Sequence, residues 1–267
     1  MLVAASLCAA APIAAAGEGP AVRLAYEAYL GPFYVVSAEA ELHLNDARYR
    51  VVTRAQSEGI ASWFFTWKSE AHSEGERTGQ GLQPTRHEVD GIWRGEARRV
   101  RLAYPKAGLV RASVVPPSNG EERDPVPAGL TVDTVDPLSA TLTVLLRLAE
   151  GGRCEGEFRV FDGRRRYDMA VLPGESGTLE PIHSSIFAGR AQRCDVTLRR
   201  IAGFWKKKND FRRPVREPVL WVASPMAGVP PVPVRFTADT GFGDLRIHLT
   251  RVERNGRVIS LKTVHGS

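Results

Sequence analysis

The sequence is poor in the residues that build reactive centres. It has three cysteines, six histidines and three methionines in 267 residues. The histidines are dispersed, and the cysteines lie far apart, so there is no ligand cluster for zinc. His87-Glu88 lacks the second histidine of a zinc protease helix. A Gly-x-Ser-x-Gly nucleophile elbow is absent, and the neighbours His183, Ser184 and Ser185 are too close in sequence to face one another productively. Beyond residue 16 no apolar run approaches the ~20 residues that carry a helix across a bilayer. Internal repeats and low-complexity tracts are missing as well. This inventory leads us to expect no catalytic residue, no metal and no cofactor.

What is present begins with an uncharged, Ala-rich stretch over residues 1–16. Ala14-Ala15-Ala16 fits the small-x-small rule of a signal-peptidase site, although the usual positive n-region is missing. The expectation is a signal peptide over 1–16, a periplasmic mature chain from residue 17 and no transmembrane segment. Cys8 would leave with the signal. Leu7 occupies the position where a lipobox needs a small residue, which argues against a lipoprotein. The remaining pair, Cys154 and Cys194, is then most simply a disulfide in an oxidising compartment. It would close a loop worth about 4 kcal/mol on the chain-entropy model.

The chain carries a net charge of +6, dominated by arginine. Acids are interleaved with the arginines, and export makes nucleic acid an unexpected partner. The surface therefore reads chiefly as a solvated mixture of charges.

Period-two alternation dominates the pattern. Val22, Leu24, Tyr26 and Ala28 share one face, and Val36, Ala38, Ala40, Leu42 and Leu44 share another, with turns at Gly31-Pro32 and Asn45-Asp46. A helical turn from Gly59 runs into a strand through Lys68–Ala71. Asp90-Gly91 reads as a hairpin turn. Further strands follow to Val115, then a polar, Pro-rich surface loop over 116–125. Asp136-Pro137 is a strong helix start, with Asp at the N-cap and Pro in the first turn. Leu138, Leu142, Leu145 and Ala149 form its stripe, and Gly151-Gly152 ends it. This one amphipathic helix is expected to cover a sheet face or plug a barrel end. Asp162-Gly163 then makes a hairpin, and strands continue to Leu261.

Three groups qualify as candidate sites. Trp63, Phe64, Phe65 and Trp67 read first as core and otherwise as an apolar cleft. Arg164 and Arg166 read as a hairpin network with Asp162 and Asp168, or as an anion clamp. Trp205, Lys206, Lys207, Lys208 and Arg212 make a basic, aromatic loop suited to anionic headgroups or an acidic partner. Asp239-Thr240-Gly241 matches the aspartic-protease triplet but lacks its context and reads as a turn.

Several phrases together resemble the bacterial family known as domain of unknown function 3108. They are Tyr26 with Gly31, Leu82-Gln83-Pro84, Asp136-Pro137-Leu138-Ser139-Ala140, Cys154, Phe161 through Asp168, Cys194, Ile201-Ala202-Gly203-Phe204 and Pro233-Val234-Arg235-Phe236. The resemblance covers nearly all of the chain after residue 16. It implies a large curved or spiral antiparallel sheet, partly closed and barrel-like, like that of other exported envelope proteins. It carries no catalytic residues. Together these readings predict a mainly β single domain over 17–267 with one packed amphipathic helix. The expected function is a non-enzymatic module that binds a lipid, lipoprotein or peptide segment in the sheet's concavity, with peripheral membrane contact at the basic loop. The alternatives are a hydrolase of envelope material and a purely structural docking module.

Overall fold

One antiparallel sheet wraps around one helix. The computed structural model describes residues 21–64, 66–79, 81–106, 108–117, 123–206, 216–241 and 243–261. The first seven strands are a meander, each paired with the next: β1 (Val22–Leu30), β2 (Phe33–Leu44), β3 (Arg48–Ser57), β4 (Trp67–Thr78), β5 (Gly81–Trp93), β6 (Glu96–Lys106) and β7 (Leu109–Val115). A short helix, α1 (Gly59–Phe64), joins β3 to β4. After the long helix α2 (Pro137–Ala149) come β8 (Gly156–Phe161), β9 (Arg166–Pro173), β10 (Gly177–Leu179), β11 (Gly189–Ala202), β12 (Arg216–Ala223), β13 (Val232–Thr240), β14 (Gly243–Arg254) and β15 (Arg257–Ser260). The sheet order is β7-β6-β5-β4-β3-β2-β1-β14-β13-β12-β11-β9-β8, so the first strand lies mid-sheet and the two meanders meet there.

Alternation sets which face is inside. Val22, Leu24 and Ala28 on β1 are buried; Leu42 on β2 pairs with Val22, and Val51 and Tyr49 on β3, which pair with Leu42 and Leu44, are buried in the same core. Arg23 and Glu41 pair on the outer face at 3.2 Å.

The sheet does not close through a ladder. Its end strands, β7 and β8, are joined by the segment from Arg123 to Asp136. Val135 forms a parallel bridge with Val160, its N–H donating to Arg159 O at 2.9 Å. Asp133 N donates to Gly108 O at 3.0 Å on the other side. Val100, Leu102 and Phe161 bury themselves at this seam, with Val114 and Val126 against them. The bridge at Val135 covers part of the β8 edge.

Helix α2 occupies the hollow. Asp136 caps it, accepting from Leu138 N and Ser139 N at 3.0 Å each. Leu138, Leu142 and Leu146 pack on β1–β3, β13 and β14. Val144, Leu145 and Leu148 pack around the Cys154–Cys194 disulfide, which is fully buried with a Cα–Cα distance of 5.8 Å. Leu142 and Leu145 contribute roughly 1.5–3 kcal/mol each by burial. The helix is thus buried on most of its circumference, Ser139, Ala140 and Thr143 included. That corrects the expectation of a single apolar stripe. The polar side chains reach inside because they are satisfied there: Thr143 Oγ1 donates to Ser139 O at 2.8 Å.

Two turn assignments also change. Asp90-Gly91 lies within β5, and the hairpin turns at Arg94-Gly95 instead. Gly91 is needed for space: a Cβ there would sit 2.7 Å from Lys68 O on β4. The second hairpin turns through Asp162–Arg165, so Arg164 belongs to the turn and not to β9. Asp162 Oδ1 holds it, accepting from Arg164 N at 2.9 Å and Arg165 N at 2.6 Å.

Candidate functional site

The antiparallel order puts the β1–β2, β3–β4, β5–β6, β8–β9, β11–β12 and β13–β14 connections at one end of the wrapped sheet, which we call the crown. Three neighbouring connections carry large apolar side chains into solvent. Phe33 opens β2 at 55% exposure, Ile60 and Trp63 stand on α1 at 42% and 84%, and Ile92 and Trp93 end β5 at 43% and 39%. The three connections are neighbours in the sheet order, and register pairs Trp67 with Trp93 and Lys68 with Ile92. The Arg94 guanidinium lies 6.0 Å from the Trp93 ring centroid. Clustered exposure of this kind marks interaction surfaces, whereas single exposed apolar residues are ordinary.

Of the side chains expected to line a cleft at Trp63, Phe64, Phe65 and Trp67, the structure describes those of Trp63 and Trp67. Trp63 projects outward and Trp67 is half-buried at the start of β4, while the Phe64 side chain and Phe65 lie outside the described residues. The concavity is not free for a ligand, because α2 fills it.

The other half of the crown is basic. Arg123 is 8% exposed, its guanidinium stacked 4.0 Å from the Trp205 centroid. Arg164 Nη2 donates to Val115 O at 2.8 Å. Arg165 pairs with Asp162 at 2.7 Å, and Lys206 with Asp124 at 2.7 Å. Burial, then Arg165, Arg164 and Arg98, lower the Arg123 pKa to about 10. Arg164 is lowered too, by burial and then Arg98. Arg166, the other member of the expected clamp, is buried and donates to Asp168 at 2.6 Å and to Leu130 O at 3.1 Å, which makes it framework. Lys207, Lys208 and Arg212 lie outside the described residues.

A serine, a histidine and an aspartate do meet inside the wrapped sheet. Ser73 Oγ lies 2.7 Å from His87 Nδ1 and donates to Asp136 Oδ1 at 2.7 Å. Asp136 approaches the same Nδ1 at 3.3 Å. A hydrolytic triad needs serine and carboxylate on opposite ring nitrogens, with the serine open to substrate. Here both partners share one nitrogen, and all three residues are at most 2% exposed. With Ser139 and Tyr49 they form a structural network. Asp239 and Asp244 face each other across the exposed β13–β14 turn, and Thr240 Oγ1 donates to Gly243 O at 2.7 Å, so the Asp-Thr-Gly triplet is a hairpin end. Ser185 Oγ is bonded to Phe187, at 3.3 Å to its carbonyl oxygen.

At the opposite end, a half-open cavity of about 440 Å³ lies between the end of α2 and the β4–β5 turn, lined by residues including Asp46, Arg77, Leu82, Arg147 and Glu150. Arg77 pairs with Glu150 at 3.4 Å and donates to Asn45 O at 2.7 Å. Arg147 is turned to Glu155 O at 3.2 Å. Its charges are directed at the protein itself, and the cavity presents few convergent groups to a ligand.

Sequence reasoning missed Phe33, Ile92, Trp93, Arg98 and Arg123. Each is unremarkable in its own strand or loop, and only register brings it beside the others.

The crystal structure of a beta-barrel-like protein of domain of unknown function DUF1849 from Brucella abortus shares this architecture. It aligns with a TM-score of 0.50 at 9% identity, over 90% of this chain and 100% of that one, a likeness of fold alone. No curated protein matches the sequence. A family model described as protein of unknown function (DUF3108) matches residues 25–250. That span runs from β1 through β14 and takes in helix, disulfide and crown alike, so the chain belongs to the DUF3108 family.

Proposed function

We propose that this chain is a non-catalytic module of the bacterial envelope, exported to the periplasm, that docks on a lipid surface through its crown. The observation that carries the reading is the apolar arc of Phe33, Ile60, Trp63, Ile92 and Trp93, exposed on three adjacent connections. The hollow of the sheet is filled by α2, so binding belongs at the surface. Trp favours the membrane–water interface, where its ring is apolar and its N–H wet. Lys68 and Arg94 flank the arc, and the arginines of the seam lie along the same rim, which suits anionic headgroups. A lipoprotein or peptide segment is the other occupant of the same chemistry.

Sedimentation with vesicles tests this. The protein should pellet with phosphatidylglycerol-containing vesicles more than with phosphatidylcholine alone. The double variant Trp63→Ala Trp93→Ala should lose most of that binding while keeping the wild-type circular dichroism spectrum. Equal recovery of wild type and variant, or no binding by either, overturns the lipid reading.

A further inference from the structure

We infer that Arg98, Arg123 and Arg164, gathered where the two ends of the sheet meet, form a binding site for a phosphate group. Three separate elements deliver them. Arg98 comes from β6, opposite Gly91 of β5. Arg123 comes from the segment that spans the seam, bridged through its backbone to Trp205. Arg164 comes from the β8–β9 turn, which Asp162 fixes. The turn is seated on β6, since a Cβ on Gly163 would lie 2.3 Å from Val100 Cγ1.

Among the described residues, the arginines of the seam (Arg98, Arg123, Arg164 and Arg165) outnumber the carboxylates Glu96 and Asp162 beside them. Arg123 and Arg164 form no ion pair among the described residues. Asp162, a carboxylate that acts on both Arg123 and Arg164, is taken by Arg165 and by two turn amides. Arg98 meets Glu96 through one nitrogen at 3.3 Å, while its buried Nε has no partner. Guanidiniums packed together repel, and burial makes each one costlier. The depressed pKa values of Arg123 and Arg164 report both effects. Stacking on Trp205 leaves the edge of the Arg123 fork for an in-plane acceptor. A tetrahedral dianion meets several such forks at once, with charge-assisted hydrogen bonds, and removes the repulsion.

The site stands on its own geometry. It rests on the docking reading only for the source of the phosphate, a lipid headgroup or a free anion. The discriminating experiment measures the thermal unfolding midpoint of the full chain with and without inorganic phosphate, at constant ionic strength set with chloride. Phosphate should raise the wild-type midpoint. In Arg123→Gln Arg164→Gln its affinity should fall at least about tenfold. Arg164 also ties the turn to Val115 O, so the midpoint of Arg164→Gln without phosphate reflects both that bond and the relieved repulsion, and the readout for the site is that this variant gains less from phosphate than wild type does. Short-chain phosphatidic acid binding more tightly than inorganic phosphate assigns a lipid source, and equal binding assigns a free anion. Trp63→Ala Trp93→Ala should keep its phosphate response even if vesicle binding is lost. A wild-type midpoint indifferent to phosphate, or an equal rise in the arginine variant, overturns the site, whatever the vesicles show.

Discussion

Ser73 on β4 donates a hydrogen bond of 2.7 Å to Asp136, the residue that caps α2. One carboxylate therefore starts the helix and fastens it to the inner face of the sheet. Its second oxygen accepts from Ser139 Oγ at 2.5 Å, and Tyr49 on β3 meets that hydroxyl at 2.7 Å. Two adjacent strands thus fix where the helix enters.

Asp136→Ala should accordingly cost far more than a lost cap. A cap alone is worth about 1 kcal/mol. Here the bonds that the buried Ser73 and Ser139 hydroxyls donate to the carboxylate would be lost as well, at roughly 1.5–3 kcal/mol each for a bond to a charged group, with His87 and Tyr49 left as their partners. Urea unfolding followed by circular dichroism should show about 3 kcal/mol or more of destabilisation. A loss within the ~0.5 kcal/mol typical of surface substitutions would mean that the network does not anchor the helix.

Stability should fall as the solution is acidified below neutrality, and histidines should cause it. His248 is buried, and burial together with Arg235 and Arg246 pushes its pKa down from 6.5 to about 4. His87 is lowered as well, since burial outweighs the attraction of Asp136. A base whose pKa drops on folding binds protons more readily when unfolded. Its contribution is complete above pH 6.5 and is lost as the pH falls from there towards the folded value. His248 alone should remove about 2 kcal/mol between pH 7.5 and 5. The carboxylates act lower: against a desolvation that raises it, Arg166 and Arg199 hold Asp168 below its usual value. Denaturant titrations at the two pH values should therefore show a slope that His248→Gln flattens. An unchanged slope in that variant would refute the assignment.

The Cys154–Cys194 bridge should be both formed and sheltered. It ties the approach to β8 to the middle of β11, beneath Val144, Leu145 and Val222. Alkylation of the unfolded chain without reductant should leave both cysteines unmodified on peptide mapping. Dithiothreitol should open the bridge only when denaturant is present. Reduction should lower stability by about 4 kcal/mol, the loop-closure value for a separation of 40 residues. Rapid reduction of the folded protein would contradict the burial.

What could be read from the chain follows the range of the forces involved. Alternation on β1 and β2, the Asp136 cap and the cysteine pair are local or arithmetical signals, and they placed the meander, the helix start and the bridge. Asp90-Gly91 misled because glycine serves two ends, turning and close approach, and sequence does not separate them. Ser139 and Thr143 look like a solvent face until Asp136 and a backbone carbonyl satisfy them inside. The crown was illegible for a different reason. Ile92 and Trp93 come to the same end of the sheet as Trp63 and Phe33 only through the strand order across β2 to β5. Arg123 borders a Pro-rich stretch that reads as surface, and its burial depends on Trp205, 82 positions later.

The turn at Gly163, where the sheet's ends meet, should be less forgiving than the turn at Gly95. Gly163 and Gly95 both adopt left-handed backbone conformations, with φ of 87° and 82°. Alanine at either position carries the backbone penalty, about 1 kcal/mol. Around Gly95 a new Cβ meets nothing within 4 Å, whereas at Gly163 it would lie 2.3 Å from Val100 Cγ1, a side chain that is 6% exposed. Gly163→Ala should therefore add roughly 1–3 kcal/mol of overpacking to the shared penalty. The excess should be specific to that contact. Val100→Ala opens the space, so Gly163→Ala Val100→Ala should be more stable than the sum of the single effects implies, a coupling of about 1 kcal/mol in denaturant titrations. Additive effects, or equal losses at Gly163 and Gly95, would show that the turn is not seated on β6.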